Sequence, residues 1–290
     1  MKRLAILILT VICMGIMISW GDAVSISAKE GVDLCIRAVI PSLFPFFVIS
    51  TYLNTQIINV NSPLLRPVEK LCKTPYNSGS LFFLSILGGY PVGAQSVAQW
   101  YEQGALSKKD AERMLGFCNQ AGPAFLFGML SAFFPSVKFL WGLWLVQIVS
   151  AFLTGMFLPG CPHQVNHVPK RTYLTLPQAL ERSGRSILLV CGWVILFRVL
   201  ITPISKIPYL CGILELTNGC LQLNTIISLP IRFTVAAVYL SFGGFCVHMQ
   251  TVSVVKNLSL GWYYKGKLLQ TVLAFGLCTF SVLIHYILSS

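Results

Sequence analysis

Long apolar runs, interrupted by short polar segments, dominate the chain. Four of these runs, 4–20, 139–158, 187–202 and 268–288, are close to the roughly 20 apolar residues needed to cross the hydrocarbon core of a bilayer. They lack the alternating apolar and polar period of membrane β-strands, and within lipid the backbone satisfies its own polar groups by forming a helix. The pattern therefore predicts an all-α, polytopic membrane protein with a single membrane domain over 1–290.

Composition supports this class, because 55% of the residues are hydrophobic and only 10% are charged, against about 25% charged in an ordinary soluble domain. The net charge of +12 would raise the question of nucleic acid in a soluble protein. Here the basic residues lie in short loops between apolar runs, where retention of Lys and Arg in the cytosol accounts for them. We expect membrane lipids as surroundings and no nucleic-acid partner.

The charges also predict an orientation. Lys2 and Arg3 precede the first apolar run, so 1–22 is predicted as an N-terminal transmembrane anchor with its N-terminus inside; a cleaved signal peptide is the alternative. The segment 21–36 carries three acidic residues against one lysine, which places it outside. Two later loops are basic and are predicted to be cytosolic. Their basic residues are Arg66, Lys70 and Lys73 in the first, and Lys170, Arg171, Arg182 and Arg185 in the second. The predicted location is the cytoplasmic (inner) cell membrane, multi-pass.

Three apolar stretches, 79–100, 114–134 and 138–158, lie between these two basic loops. Because both loops are predicted inside, the chain must cross an even number of times between them, so one stretch does not cross. The interruption from Asn119 to Pro123 contains a proline and residues that weaken helices. The sequence therefore predicts that 114–134 is the segment that does not cross.

An internal repeat relates the two halves of the chain. The segment 88–97 matches 243–252 at an offset of 155, with Gly, Gly, Val, Gln and Val identical, and 37–40 matches 185–188 more weakly. The loop charges orient the first unit, 30–160, and the second, 180–290, in opposite directions, which predicts inverted repeats with broken or re-entrant helices. Inverted repeats place a solute site near the middle of the bilayer. The alternative is that the glycines simply allow close helix packing.

Four motifs carry a family resemblance. They are Pro-Ser-Leu-Phe-Pro-Phe-Phe at 41–47, Gly-Gly-Tyr-Pro-Val-Gly-Ala at 88–94, Phe-Cys-Asn with Pro-Ala-Phe-Leu-Phe-Gly over 117–128, and Glu-Leu-Thr-Asn-Gly at 215–219. In this order they resemble the sporulation integral membrane proteins of the YlbJ type, in the nucleoside-recognition (Gate) group, over most of the chain after Asp33. The second Gly-Gly segment departs by lacking the proline of the first. The resemblance implies a Gate-like, transporter-like protein needed for spore formation, with an unidentified small solute or nucleoside-like substrate.

The predicted substrate or ion pathway combines the two glycine segments, the interrupted 114–134 segment and the isolated acidic segment. Its residues are Gly88, Gly89, Tyr90, Pro91, Gly93, Gln95, Asn119, Pro123, Arg198, Glu215, Thr217, Asn218, Gly243, Gly244 and Gln250. A carboxylate within a membrane is costly unless it is paired or faces water, so Glu215 is a functional candidate, with Arg198 as its predicted partner. The alternative is that Glu215 lies in an exposed loop, with a turn at Asn218 and Gly219.

Signals for other chemistry are weak. The ten cysteines are scattered and read as small hydrophobic residues. Cys161, His163 and His167 lack a fourth nearby zinc ligand, so no metal is predicted. No catalytic triad, paired carboxylates or phosphate loop stands out, and we expect neither an enzyme nor a cofactor. The rival function is a non-transporting scaffold for spore-envelope assembly, ahead of a membrane enzyme acting on lipid or cell-wall precursors; a homo-oligomer is left open.

Overall fold

The computed structural model describes residues 2–56, 63–160, 173–204, 207 and 209–289, and every regular element in those ranges is helical. Cys161, His163 and His167, at which no metal is predicted, lie outside the described residues, as do Lys170 and Arg171. The helices of the first half are α1 (Lys2–Ser19), α2 (Gly21–Leu34), α3 (Ile40–Gln56), α4 (Arg66–Leu71), α5 (Gly79–Gly88), α6 (Val92–Glu102), α7 (Lys108–Met114), α8 (Pro123–Met129) and α9 (Val137–Phe157). A π-helical segment joins α2 to α3 without a break.

The second half is built in the same way from long and short helices. They are α10 (Leu176–Ile201), α11 (Leu210–Leu214), α12 (Leu216–Leu221), α13 (Leu229–Phe242), α14 (Gly244–Val254) and α15 (Gly261–Ser289). Within the described residues, Gly21–Gln56, Val137–Phe157, Leu176–Ile201 and Leu229–Val254 are long and apolar enough to cross a membrane. Large apolar side chains such as Leu188 and Val272 lie exposed on the outer surface. The chain is a polytopic α-helical membrane protein, as predicted.

The continuous helix α2–α3 packs antiparallel along α10, and this pair defines two ends of the molecule. Near Gln56, Thr55 accepts a hydrogen bond from the backbone of Leu174 at 3.3 Å. Near Gly21, Ser27 contacts Thr202 at 2.7 Å. We call the end near Thr55 and Leu174 the basic end, because α4, which begins with Arg66, and the first turns of α10, which carry Arg182, adjoin it in the chain. We call the end near Ser27 and Thr202 the opposite end.

The acidic segment 21–36, predicted to lie outside, is itself helical. The helix Gly21–Gln56 has 36 residues, which at about 1.5 Å per residue is longer than a hydrocarbon core about 30 Å thick. Part of this helix therefore extends past the lipid tails, and its acid-bearing first turns lie at the opposite end from the basic loops. This arrangement agrees with the predicted separation of acidic and basic loops.

Helices α5 and α6 form a hairpin that begins and ends at the basic end. At its start, the backbone of Gly79 donates to the Glu69 carboxylate at 3.0 Å, and at its finish Trp100 donates to Asn54 at 3.0 Å. The arms contain 10 and 11 residues, so each reaches about 15 Å, half of a hydrocarbon core. The tip is the turn Gly89-Tyr90-Pro91, which contains a cis Tyr90–Pro91 bond. This hairpin enters the membrane region and returns.

The segment from α7 to α8 runs from one end of the molecule to the other. Arg113 in α7 donates to the carbonyls of Cys72 and Lys73 at the basic end. The Phe133 carbonyl accepts from Arg232 at 3.0 Å, next to the start of α9, whose far end returns to Cys72. The prediction that 114–134 does not cross is therefore wrong, and 79–102 is the segment that turns back. The predicted interruption from Asn119 to Pro123 falls in the break between α7 and α8, but the chain resumes in the same direction at Pro123.

The second half contains a matching hairpin at the opposite end. Helices α11 and α12 follow the end of α10, turn at Glu215 and return to Ile226, whose carbonyl accepts from the same Arg232. The interrupted helix α13–α14 then runs to the basic end, where the Ser259 backbone donates to Glu112 at 2.8 Å. Helix α15 leads away again and packs against α9 and α13.

These contacts allow a test of the orientation. Single cysteines at Lys70 and Arg182, in a protein without its own cysteines, are expected to resist a membrane-impermeant maleimide in intact cells, because both side chains are exposed at the basic end. A cysteine at Asp22, at the opposite end, is expected to react. Permeabilised cells, in which all three positions should react, are the control. Labelling of Lys70 or Arg182 positions in intact cells would contradict the orientation.

Candidate functional site

At the tip of the α5–α6 hairpin, the backbone of Gly89 lies directly against the backbone of Gly122, in the break between α7 and α8. Gly89 has φ +69° and ψ −171°, a region open essentially only to glycine. A Cβ added to Gly89 would lie 2.6 Å from the Gly122 nitrogen, and a Cβ on Gly122 would lie 2.8 Å from the Gly89 Cα. The tip therefore packs directly on the break between α7 and α8. This geometry explains the local sequence, since any side chain at either glycine would separate the two segments.

A similar crossing occurs in the second half. Gly243 and Gly244 have φ +85° and +75° and separate α13 from α14. A Cβ on Gly244 would lie 3.2 Å from the Leu216 nitrogen and 3.2 Å from the Gly212 carbonyl oxygen, beside the tip of the second hairpin. Each half thus places a hairpin tip against an interrupted crossing helix.

The two Gly-Gly segments, however, occupy different kinds of element. The first lies at the tip of the α5–α6 hairpin, whereas the second interrupts the crossing helix α13–α14. The sequence match at an offset of 155 therefore aligns unlike elements. By order along the chain, the turn at Gly89 corresponds to the turn at Glu215, and the break before Pro123 corresponds to the one at Gly243.

Buried polar groups surround the first crossing. Asn119 donates to the Thr251 hydroxyl at 2.9 Å, and Gln120 donates to the Ser85 hydroxyl at 3.0 Å. The amide oxygens of Asn119 and Gln120 and the Tyr90 hydroxyl are also buried, yet have no hydrogen-bond partner among the described residues. Such groups are costly when unsatisfied. These three atoms all lie at the first hairpin tip, and Gln120 was missed by the sequence prediction.

The predicted polar residues form separate hydrogen-bonded groups around one packed centre. Asn119 joins Thr251, whose hydroxyl lies 3.3 Å from that of Tyr263 in α15. Gln95 accepts from Ser186 of α10 at 3.4 Å, and Gln250 donates to the sulfur of Cys246 within its own helix. One apolar cluster nevertheless includes residues from both halves beside the breaks. Its members include Tyr90, Ala121, Leu216, Cys220 and Val247.

Glu215 is a buried helix cap. It is 2% exposed, and its carboxylate accepts from the backbone of Thr217 at 2.9 Å, the backbone of Asn218 at 2.7 Å and the Asn218 amide at 2.7 Å. These bonds satisfy donors at the start of α12 that have no partner within the helix. The alternative of an exposed loop is wrong, and Asn218 and Gly219 lie within α12.

Arg198 has a different ionic partner from the one predicted. Its guanidinium pairs with Glu30 of α2 at 2.6 Å and donates to the side-chain oxygen of Asn218. Asn218 in turn donates to Glu215, so Arg198 reaches the carboxylate only through the amide. The sequence prediction failed because Glu30 lies 168 residues away and approaches only through the antiparallel packing of α2 on α10. The resulting chain of contacts connects the second hairpin tip to the opposite end.

A cavity of about 400 Å³ lies away from the predicted pathway. It is bounded by residues 132–135 and by Asn224, Ile227, Leu229 and Arg232, at the opposite end. Among the described residues there is no group of three or more side chains suited to hold a metal ion. The eight cysteines whose side chains the structure describes, from Cys35 to Cys278, are buried, in agreement with their assignment as small hydrophobic residues.

Lys267 was not among the predicted site residues, and it directly precedes the apolar run 268–288. In the structure its side chain is 1% exposed, on the face of α15 that carries Tyr263 and Gln270. The spacing of 263, 267 and 270 fits one helical face and is the signal that could have indicated burial. Ser107 caps α7 by accepting from the Asp110 backbone at 3.1 Å.

Comparison with known proteins gives one informative similarity. No protein-family profile matches the chain, and no solved structure matches it. The chain is similar to the sporulation integral membrane protein YlbJ of Bacillus subtilis (strain 168). The two are 24% identical over an alignment of 310 positions, which covers 86% of this chain and 75% of that protein.

Proposed function

We propose that this protein is a transporter-like integral membrane protein of spore formation, which moves a small solute or nucleoside-like compound across the cytoplasmic membrane. The proposal of transport depends on the two hairpin tips, each of which packs on an interrupted helix. Polar atoms without a hydrogen-bond partner among the described residues lie at the tip of the α5–α6 hairpin. The link to spore formation is supported by the similarity to the sporulation protein of Bacillus subtilis. Membrane lipids and the solute are its partners in this proposal, and no nucleic acid, metal or cofactor is required.

The order of elements supports two inverted Gate-like repeats. Both halves contain a long helix, a hairpin, an interrupted crossing helix and a second long helix, in that order. The first set is α3, α5–α6, α7–α8 and α9, and the second is α10, α11–α12, α13–α14 and α15. The first hairpin starts from the basic end and the second from the opposite end. Repeats of this kind hold a solute where their broken helices meet.

The chemistry of the first tip favours a neutral, polar solute. Asn119 and Gln120 offer amide oxygens that accept hydrogen bonds, and the Tyr90 hydroxyl both donates and accepts. None of these groups carries a charge. A solute with N–H and O–H groups, such as a nucleoside, would satisfy the atoms that protein groups leave unpaired. The amide groups of Asn119 and Gln120 are neither acids, bases nor nucleophiles at neutral pH, which favours solute binding over an enzymatic reaction.

One observation favours a scaffold as the second candidate function. Gln95, Gln250 and Glu215 satisfy their hydrogen bonds with nearby protein groups and do not join the Asn119 group. In a non-transporting scaffold for spore-envelope assembly, these bonds and the glycine crossings would serve packing alone. The two candidates therefore differ in whether the first tip binds a solute.

Uptake by proteoliposomes tests the proposal. Purified protein is expected to give saturable uptake of at least one radiolabelled compound from a panel of nucleosides and neutral polar solutes. Asn119→Leu should lower uptake roughly 5- to 150-fold, because a lost hydrogen bond to a buried group costs about 1–3 kcal/mol. The matched control is Gln103→Leu, at the end of α6 away from the tip, which should transport normally.

The scaffold predicts a different result. No compound of the panel would be taken up, and a normally expressed Asn119→Leu protein would still restore heat-resistant spores to a spore-forming host that lacks this protein. That combination would overturn the transport proposal. Loss of spores with Asn119→Leu, at normal protein abundance and with Gln103→Leu intact, would support it.

A further inference from the structure

The buried amine of Lys267 is held by neutral oxygens. Its ammonium donates to the Ser241 carbonyl at 3.2 Å and to the Gln270 side-chain oxygen at 3.1 Å. The salt bridges found among the described residues involve Asp33, Glu181 and Glu30, and none reaches Lys267. A buried charge without a carboxylate partner is costly. A methionine would fill the same space without that cost, so the charge itself requires an explanation.

The break between α13 and α14 supplies that explanation. Helix α13 ends at Phe242, and Gly243 takes the left-handed conformation, so the last carbonyls of α13 lack donors from a following turn. The same helix end carries partial negative charge from the aligned peptide dipoles. The Ser241 carbonyl points this charge at the Lys267 ammonium. The C-terminal end of α13 is therefore a position that suits a monovalent cation.

Neighbouring side chains hold this helix end in place. Gln147 of α9 donates to the Ala237 carbonyl at 3.2 Å and to the Ser241 hydroxyl at 3.0 Å, and its oxygen accepts from that hydroxyl at 3.3 Å. Helices α9, α13 and α15 thus meet at Ser241 through fully buried polar groups. The oxygens that face the ammonium are fixed before any solute binds.

We propose that the end of α13 is a binding position for a monovalent cation and that Lys267 fills it permanently with its own ammonium. The interrupted helix α13–α14 is then stabilised by a resident charge in place of a dissolved alkali ion. One consequence of this inference rests on the proposed function: transport would need no sodium or potassium ion at the break between α13 and α14. The cation position itself is a property of the folded protein and is tested without any solute.

Thermal unfolding in detergent provides the test, with tryptophan fluorescence as the signal. The midpoint of the full-length protein should be the same in sodium, potassium and choline chloride, because its own ammonium occupies the position. Lys267→Ala should unfold roughly 5 °C lower in choline chloride. Methylammonium chloride should restore at least half of that loss, since a small ammonium fits where choline does not. The control, Lys265→Ala, removes a nearby lysine that lies over the Trp262 ring at 4.9 Å, and it should show no response to methylammonium.

Three outcomes would overturn the proposal. Equal midpoints of Lys267→Ala in methylammonium and choline would show that the side chain serves packing alone. A higher unfolding midpoint of the unchanged protein in sodium chloride than in choline chloride would show that a dissolved ion still binds at an unfilled position. If Lys267→Ala does not accumulate, Lys267→Gln replaces it: a midpoint equal to that of the unchanged protein would show that hydrogen bonds suffice without charge. A lowered midpoint that methylammonium raises would support the proposal. A failure to detect transport would leave these results unaffected.

Discussion

Replacement of Gly89 by alanine is expected to abolish spore formation in a host that depends on this protein and to reduce the amount of folded protein. Gly89 has φ +69° and ψ −171°, and an added Cβ would lie 2.6 Å from the backbone nitrogen of Gly122. Backbone cannot move aside as a flexible side chain can, so the conformational strain of about 1–3 kcal/mol adds to a clash. Spore yield, membrane abundance and the unfolding midpoint measure the effect. Gly89→Leu should be at least as severe.

Gly104→Ala is the matched control for this experiment. Gly104 also has a positive φ, +75°, but an added Cβ would meet nothing within 4 Å. Its replacement should therefore cost only the conformational strain of about 1–2 kcal/mol and leave spore formation intact. Gly244→Leu is expected to be damaging as well, because its Cβ would lie 3.2 Å from the Leu216 nitrogen. If Gly89→Ala and Gly104→Ala behave alike, close packing of the tip on Gly122 is not important for function.

Glu215→Gln is expected to abolish function while most of the protein still accumulates in the membrane. Both carboxylate oxygens accept hydrogen bonds, one from Thr217 and the other from the backbone and side chain of Asn218. A glutamine places an amide N–H₂ against one of these donors, which costs about 1–3 kcal/mol. This cost falls on the short helix α12 and therefore on the second hairpin tip. Spore yield and abundance are measured together.

Two further variants identify the cause. Glu181→Gln removes an exposed carboxylate whose partner, Arg185, lies one turn away on the same helix, and it should be neutral because such pairs contribute little. Glu215→Asp keeps a carboxylate that caps helices well and should recover part of the function. Full activity of a normally expressed Glu215→Gln protein would mean that the cap has no functional role. Equal loss in the Asp and Gln variants would indicate that side-chain length and charge are both critical.

The sequence by itself determined the class of protein and the positions of its interruptions, because these depend on local chemistry. Apolar runs without charge predicted membrane helices, and two of the four predicted runs, 139–158 and 187–202, coincide with helices of the described residues that are long and apolar enough to cross a membrane. Helix breaks were predicted at Gly88-Gly89, at Asn119 to Pro123 and at Gly243-Gly244, where glycine or proline removes helix-stabilising geometry. The segregation of acidic and basic loops was equally visible, since it requires only the order of charges along the chain.

Only the tertiary structure decided what each break does and which residues meet. A broken helix can reverse or continue, and the choice depends on its packing partners: Gly89 reverses the chain, whereas the break before Pro123 does not. Arg198 pairs with Glu30, 168 residues away, and the Lys267 ammonium reaches the Ser241 carbonyl 26 residues earlier. Contacts of this kind leave no local pattern, because they arise when separate helices pack against one another and satisfy each other's buried polar groups.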